Sequence, residues 1–159
     1  MSTAWTLTFT APLRDAAEDL AESVNGIAGA ALQQALRPAL AERGWGFCEP
    51  FAEDFGWFSD LAYNDEGKRV AVALATGPEG ETRPDGGAED DRWRVVISMD
   101  LGMFAKTKAR RSAAFGRLAG DLHAACLAIG ATGIVWEEGG PLAVTPPAGP
   151  EADPPQKIV

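Results

Sequence analysis

From Arg92 to Asp100 the chain alternates without a break, with Trp93, Val95, Ile97 and Met99 on one side and Arg92, Arg94, Val96 and Ser98 on the other. A period of two sustained over that length fits a strand with one buried face and does not fit a helix. Such a strand cannot stand alone, because its backbone donors and acceptors need partners along both edges. The chain supplies them. Trp5, Leu7 and Phe9 alternate with threonines, and Val70, Val72 and Leu74 alternate with small residues between Arg69 and Thr76. Trp57 to Tyr63 runs into Asn64, Asp65, Glu66 and Gly67, which have hairpin-turn chemistry. The aromatic stretch from Trp45 to Trp57 reads as a short strand and a tight loop, and Ile134 to Trp136 as a last short strand.

Elsewhere the apolar spacing changes to three and four. Ile27, Ala31, Leu32, Ala35, Leu36, Ala39 and Leu40 share one helical face ahead of Gly44, and Pro38 implies a kink or a junction of two short helices. Ala114, Phe115, Leu118, Leu122, Ala125, Cys126 and Ile129 mark a second main helix from Arg111 to Ile129, closed by Gly130. A short acidic helix is expected between Asp15 and Val24.

Sequential strands joined by short turns pair antiparallel, and two main helices have one sheet face to cover. The expectation is therefore an α+β, two-layer sandwich: a mainly antiparallel sheet of about five to six strands under two main helices. The expected domain spans 1–138, and the proline- and glycine-rich segment 139–159 is expected to be a disordered tail. Residues 77–91 read as a long solvated hairpin loop.

The chain has 159 residues, 46% of them apolar, enough for one hydrophobic core. With only Cys48 and Cys126, a disulfide framework or zinc knuckle is not expected, and no catalytic residue, metal or cofactor is assigned. The absence of a membrane-length apolar run leads to the expectation of a cytoplasmic protein without membrane contact. A net charge of -9 argues against nucleic-acid binding, which draws on clustered lysine and arginine. The charge is unevenly spread: residues 78–91 hold six carboxylates and one arginine, while 92–136 are net basic around Lys106, Lys108, Arg110 and Arg111.

Two candidate binding regions follow. In the first, the carboxylates Glu49, Glu53 and Asp54 lie among Trp45, Phe47, Phe51, Phe55 and Trp57. Carboxylates among aromatics can form a cation-binding or acid-base pocket, or they can cap a turn that Trp57 anchors to the core; the second reading is the plainer. The second region is the basic run Lys106, Lys108, Arg110 and Arg111, which precedes the last helix and is placed to meet an acidic partner or an acidic segment of the same molecule. His123 and Cys126 sit three apart on that helix, but two ligands make half a metal site, so a structural role is favoured.

The run Glu49 to Trp57, placed after a helix ending Arg43, Gly44, Trp45, resembles small uncharacterised bacterial proteins with an acidic-aromatic-Gly-Trp loop, over about Leu36 to Trp57. In size, acidity and α+β layout the chain is also similar to immunity proteins that neutralise secreted toxins. That resemblance implies a non-enzymatic, inhibitory protein-binding module whose acidic surface, 49–54 with 79–91, meets a basic protein partner. The alternative is a small-molecule-binding protein or enzyme built on the 45–57 loop.

Overall fold

The alternating segments assemble into one antiparallel sheet. The computed structural model describes residues 2–137 together with 144–145 and 156–157. In chain order the elements are β1 (Ser2–Thr10), α1 (Ala17–Glu22), α2 (Ala30–Ala41), β2 (Phe51–Glu53), β3 (Gly56–Asp65), β4 (Lys68–Pro78), β5 (Arg92–Asp100), α3 (Ala105–Ala128) and β6 (Thr132–Glu137), followed by β7 (Val144–Thr145) and β8 (Gln156–Lys157). The main sheet has six strands in the order β2-β3-β4-β5-β1-β6, and β7 pairs with β8. The fold is an α+β sandwich of one sheet and one helical layer.

The N-terminal strand lies inside the sheet, with Trp5 opposite Ile97, Leu7 opposite Val95 and Phe9 opposite Trp93. These partners all point to the helix side, where they meet Leu32, Leu36 and Leu40 of α2 and Phe115, Leu118 and Leu122 of α3 in one core. Each such fully buried apolar side chain contributes about 1.5–3 kcal/mol relative to exposure. A polar network fixes α2 to the sheet beneath it. Gln33 donates to the Leu74 carbonyl at 3.0 Å and accepts from Ser59 at 2.9 Å, and the Thr76 hydroxyl donates to the Gly29 carbonyl at 2.9 Å. Gly29 and Gly56 both press on the carbonyl oxygen of Thr76; with φ of +153° and +140°, a Cβ there would come within 2.5 and 2.2 Å of it.

Asp15 is buried and caps α2 from a distance. Its carboxylate accepts the backbone N–H groups of Gly29 and Ala30 at 3.0 Å and of Ala31 at 2.9 Å. Those are the donors that a helix start leaves without partners, and Gly29 has no side chain to serve them.

Three expectations are refined. Pro38 lies inside a single helix, with Leu36 and Leu40 buried on either side of it and the proline itself facing solvent. The last helix begins at Ala105, six residues before Arg111, so the basic residues belong to its first two turns. The segment 79–91 joins antiparallel β4 and β5 as a largely exposed hairpin loop, but part of it is anchored: Ala88 is fully buried, Gly86 and Gly87 are buried, and bridges join Thr82 to Ala88 and Arg14 to Gly87. The proposed tail 139–159 lies outside the described residues except for β7 and β8. Among the described residues no helix is long and apolar enough to cross a membrane.

Candidate functional site

The residues of the 45–57 stretch part company in the fold. Trp45 and Trp57 turn to the helix side and are buried. The Trp45 indole stacks on Tyr63, donates to Asp121 of α3 at 2.8 Å and receives the Arg117 guanidinium over its ring at 5.9 Å. Glu49 points outward, 92% exposed, with Arg37 at 3.6 Å. Glu53 closes β2, half-buried, and Asp54 is exposed in the turn that follows. The two tryptophans are thus buried on the helix side, whereas Glu49 and Asp54 are exposed and Glu53 is half-buried.

The basic run also divides. Arg110 and Arg111 both turn inward to Asp65, with their Nε atoms at 2.5 Å from its two oxygens. Arg110 and then Arg111 hold the Asp65 carboxyl down at about 2, outweighing the burial that acts in the opposite direction. Arg111 also donates to the Asp100 carbonyl at 3.2 Å. This cluster ties the start of α3 to the β3–β4 hairpin, so the acidic segment met within the molecule is that hairpin, with Glu66 at 3.4 Å from Arg110, and not the 79–91 loop. Lys106 is exposed and Lys108 half-buried, and neither has an ion-pair partner among the described residues.

Much of the acidity in 79–91 is answered locally. Arg83 pairs with Asp85 at 3.2 Å and Asp91 at 3.0 Å, Arg14 reaches Asp85 at 3.1 Å, and Arg92 reaches Glu79 at 2.9 Å. The Gly87 N–H, then Arg83, pulls Asp85 down to about 2. Glu53, Asp54, Glu81 and Asp90 have no cationic partner among the described residues. All four lie at the end of the sheet where β4 finishes and β5 begins.

At that same end, on the sheet face away from the helices, lies a feature with no signature in the sequence. Register carries Phe51, Phe58, Ala75, Val96, Thr6 and Glu137 in one row across all six strands of this face. Beside the row, Phe55, Ala75, Thr76, Gly77, Pro78, Arg94 and Val96 line an open groove of about 250 Å³. Phe51 and Phe55 are 45% and 47% exposed and both contact Phe58, with ring centroids at 5.3 and 6.4 Å. The groove exists because Ala75 and Gly77 offer almost no side chain between the phenylalanines and Arg94.

On the last helix, His123 and Cys126 are both buried. The Trp136 indole donates to His123 Nδ1 at 2.9 Å, so that nitrogen is the unprotonated one. Cys126 is fully buried, and burial pushes its thiol far above the usual range. No group of three His, Cys, Asp or Glu residues among those described is placed to hold a metal ion. No family model matches the chain, and neither curated proteins nor solved structures give a match.

Proposed function

We propose that this protein is a non-enzymatic, inhibitory binding module of immunity-like type, which presents the groove end of its open sheet face to a basic protein partner. One observation carries the reading: an exposed apolar groove adjoins carboxylates, Glu53 and Asp54 in the neighbouring turn and Glu81 and Asp90 in the next loop, that no cation of the described residues neutralises. An apolar centre with a polar rim is the common anatomy of protein interfaces. Carboxylates left uncompensated in a chain of net charge -9 would speed encounter with a cationic partner and make the association salt-dependent. The competing reading, a small-molecule pocket or active site at Trp45, Glu49, Glu53, Asp54 and Trp57, is the less favoured, since the tryptophans are buried while Glu49 and Asp54 are exposed.

The test is affinity capture at low and high salt with the wild-type chain and with a variant carrying Glu53→Lys, Asp54→Lys, Glu81→Lys and Asp90→Lys. A basic protein held by wild type at low salt, released by salt, missed by the variant and inhibited in its own activity on binding supports the reading. Capture of the same proteins by both chains, or of none, removes its support.

A further inference from the structure

The end of the sheet opposite the groove carries the complementary chemistry. Met103 and Phe104, in the turn between β5 and α3, are 86% and 79% exposed, far more than any other large apolar side chain among the described residues. The turn that projects them is pinned: the Gly102 N–H donates to the Asp100 carboxylate at 2.9 Å, and Gly102, at φ +80°, backs onto Thr107 and Arg111. Phe104 occupies the N-cap of α3, where it offers no side-chain acceptor, and the first turn contains no acidic residue. Lys106 and Lys108 stand instead where cations oppose the helix dipole. Lys68 and Arg69, exposed at the same end of the sheet, likewise have no ion-pair partner among the described residues. An apolar tip and unpaired cations are thus concentrated at one place, each against the local preference of a soluble helix start.

The groove at the far end matches that tip in size and charge. A cavity of about 150 Å³ accepts a benzene ring, so the groove of about 250 Å³ has room for the Phe104 ring and part of Met103. Arg94 on its wall can lie over an aromatic face, and Glu53 and Asp54 beside it face no cation of the described residues. From Val96 and Arg94 on the groove wall to Asp100 at the end of β5 the strand runs about four to six residues, on the order of 13–20 Å at roughly 3.3 Å per residue, beyond the reach of a side chain. One molecule's tip therefore cannot reach its own groove, whereas another copy's can.

We infer that Met103 and Phe104 of one copy seat in the groove of a second, with Lys106 and Lys108 against Glu53 and Asp54, so that the protein self-associates head to tail. The contact is heterologous: every added copy leaves one free tip and one free groove, so assemblies grow as open chains unless the rotation closes them into a ring. This goes beyond the reading of a foreign basic partner and fails independently of it, although both would use one groove and compete for it.

Light scattering on a sizing column, with the full chain from micromolar to millimolar concentration, reads the association directly. The expected mass rises in multiples of 16.7 kDa with concentration and falls back with salt. Two variants block opposite halves of the contact: Met103→Asp with Phe104→Asp removes the tip, and Ala75→Arg fills the groove. Each alone is expected to be monomeric with an unchanged circular dichroism spectrum, and their mixture to give a one-to-one dimer and nothing larger, since one intact tip and one intact groove remain. Lys106→Glu with Lys108→Glu keeps the apolar tip; it is expected to weaken association at least tenfold and to be rescued by Glu53→Lys with Asp54→Lys on the partner copy. A wild-type chain that stays monomeric, a tip variant that still associates, or a variant mixture that forms no dimer overturns the inference. Capture of a basic partner by a strictly monomeric chain would do so while leaving the preceding reading in place.

Discussion

Arg94 of β5 and Gly77 of β4 are register partners on the helix-free face, so a long cationic side chain stands opposite a residue with none. That pairing makes the groove, and Gly77 is held to its size by the β2–β3 turn: a Cβ at this position would lie 2.5 Å from the Phe55 carbonyl oxygen. Gly77→Val is expected to displace the turn at a cost of about 1–3 kcal/mol, read from urea unfolding. Arg94→Ala, at an exposed position, is expected to change stability by no more than about 0.5 kcal/mol. Equal stability of the two variants would mean that the turn is not packed against β4.

Asp65 joins α3 to the β3–β4 hairpin through two arginines. Asp65→Asn removes the carboxylate that Arg110 and Arg111 share, leaving Arg110 only the exposed Glu66, and is expected to destabilise the chain by about 2–4 kcal/mol. The pH dependence has a definite sign. Because the folded carboxyl titrates at about 2 and its ordinary value is 3.8, the unfolded chain takes up this proton first as the pH drops. The stabilisation is whole well above 3.8 and is lost as the pH falls through about 2. Urea midpoints followed from about pH 6 to about pH 2 should therefore decline less steeply in Asp65→Asn than in wild type.

Asp15 satisfies three donors at the start of α2. Asp15→Ala is expected to cost about 2 kcal/mol, with amide exchange in the first turn of α2 accelerated by more than the global loss accounts for. Uniform acceleration across the whole domain would show that the cap stabilises no particular element.

The two thiols should separate cleanly. Cys48 is exposed, and its thiol is raised by donating a hydrogen bond to Asp60 at 3.0 Å, whereas Cys126 is enclosed in the core. A thiol reagent is expected to modify one cysteine of the native chain and the second only on unfolding. Asp60→Asn should speed the first reaction near neutral pH, since removing the carboxylate raises the thiolate fraction.

What the sequence disclosed follows from where its information is local. The alternation in Trp5 to Phe9, Val70 to Leu74 and Trp93 to Met99 reports one-sided burial, and these segments became β1, β4 and β5. The interior position of β1 was not legible, because strand order depends on which edges meet after the chain has turned back on itself. Helix α3 begins earlier than its apolar spacing, which starts at Ala114, could mark; Phe104 is a poor cap and the lysines oppose the dipole, while Arg110 and Arg111 compensate through Asp65, more than forty residues earlier in the chain. The sequence pointed to Glu53 and Asp54 but attached them to Trp45 and Trp57, which belong to the opposite face. The groove itself depends on Ala75 and Gly77, small residues whose meaning appears only when Phe55 and Arg94 are placed beside them.

The central claim is that the groove and its carboxylates form the surface that recognises a basic protein. The most direct measurement is quantitative capture at low salt by three immobilised chains: wild type, Ala75→Arg, and the variant with Glu53→Lys, Asp54→Lys, Glu81→Lys and Asp90→Lys. The account predicts a basic protein enriched at least tenfold by wild type over both variants, and released from wild type as salt is raised. Retention of that protein by both variants, or its insensitivity to salt, would contradict the account.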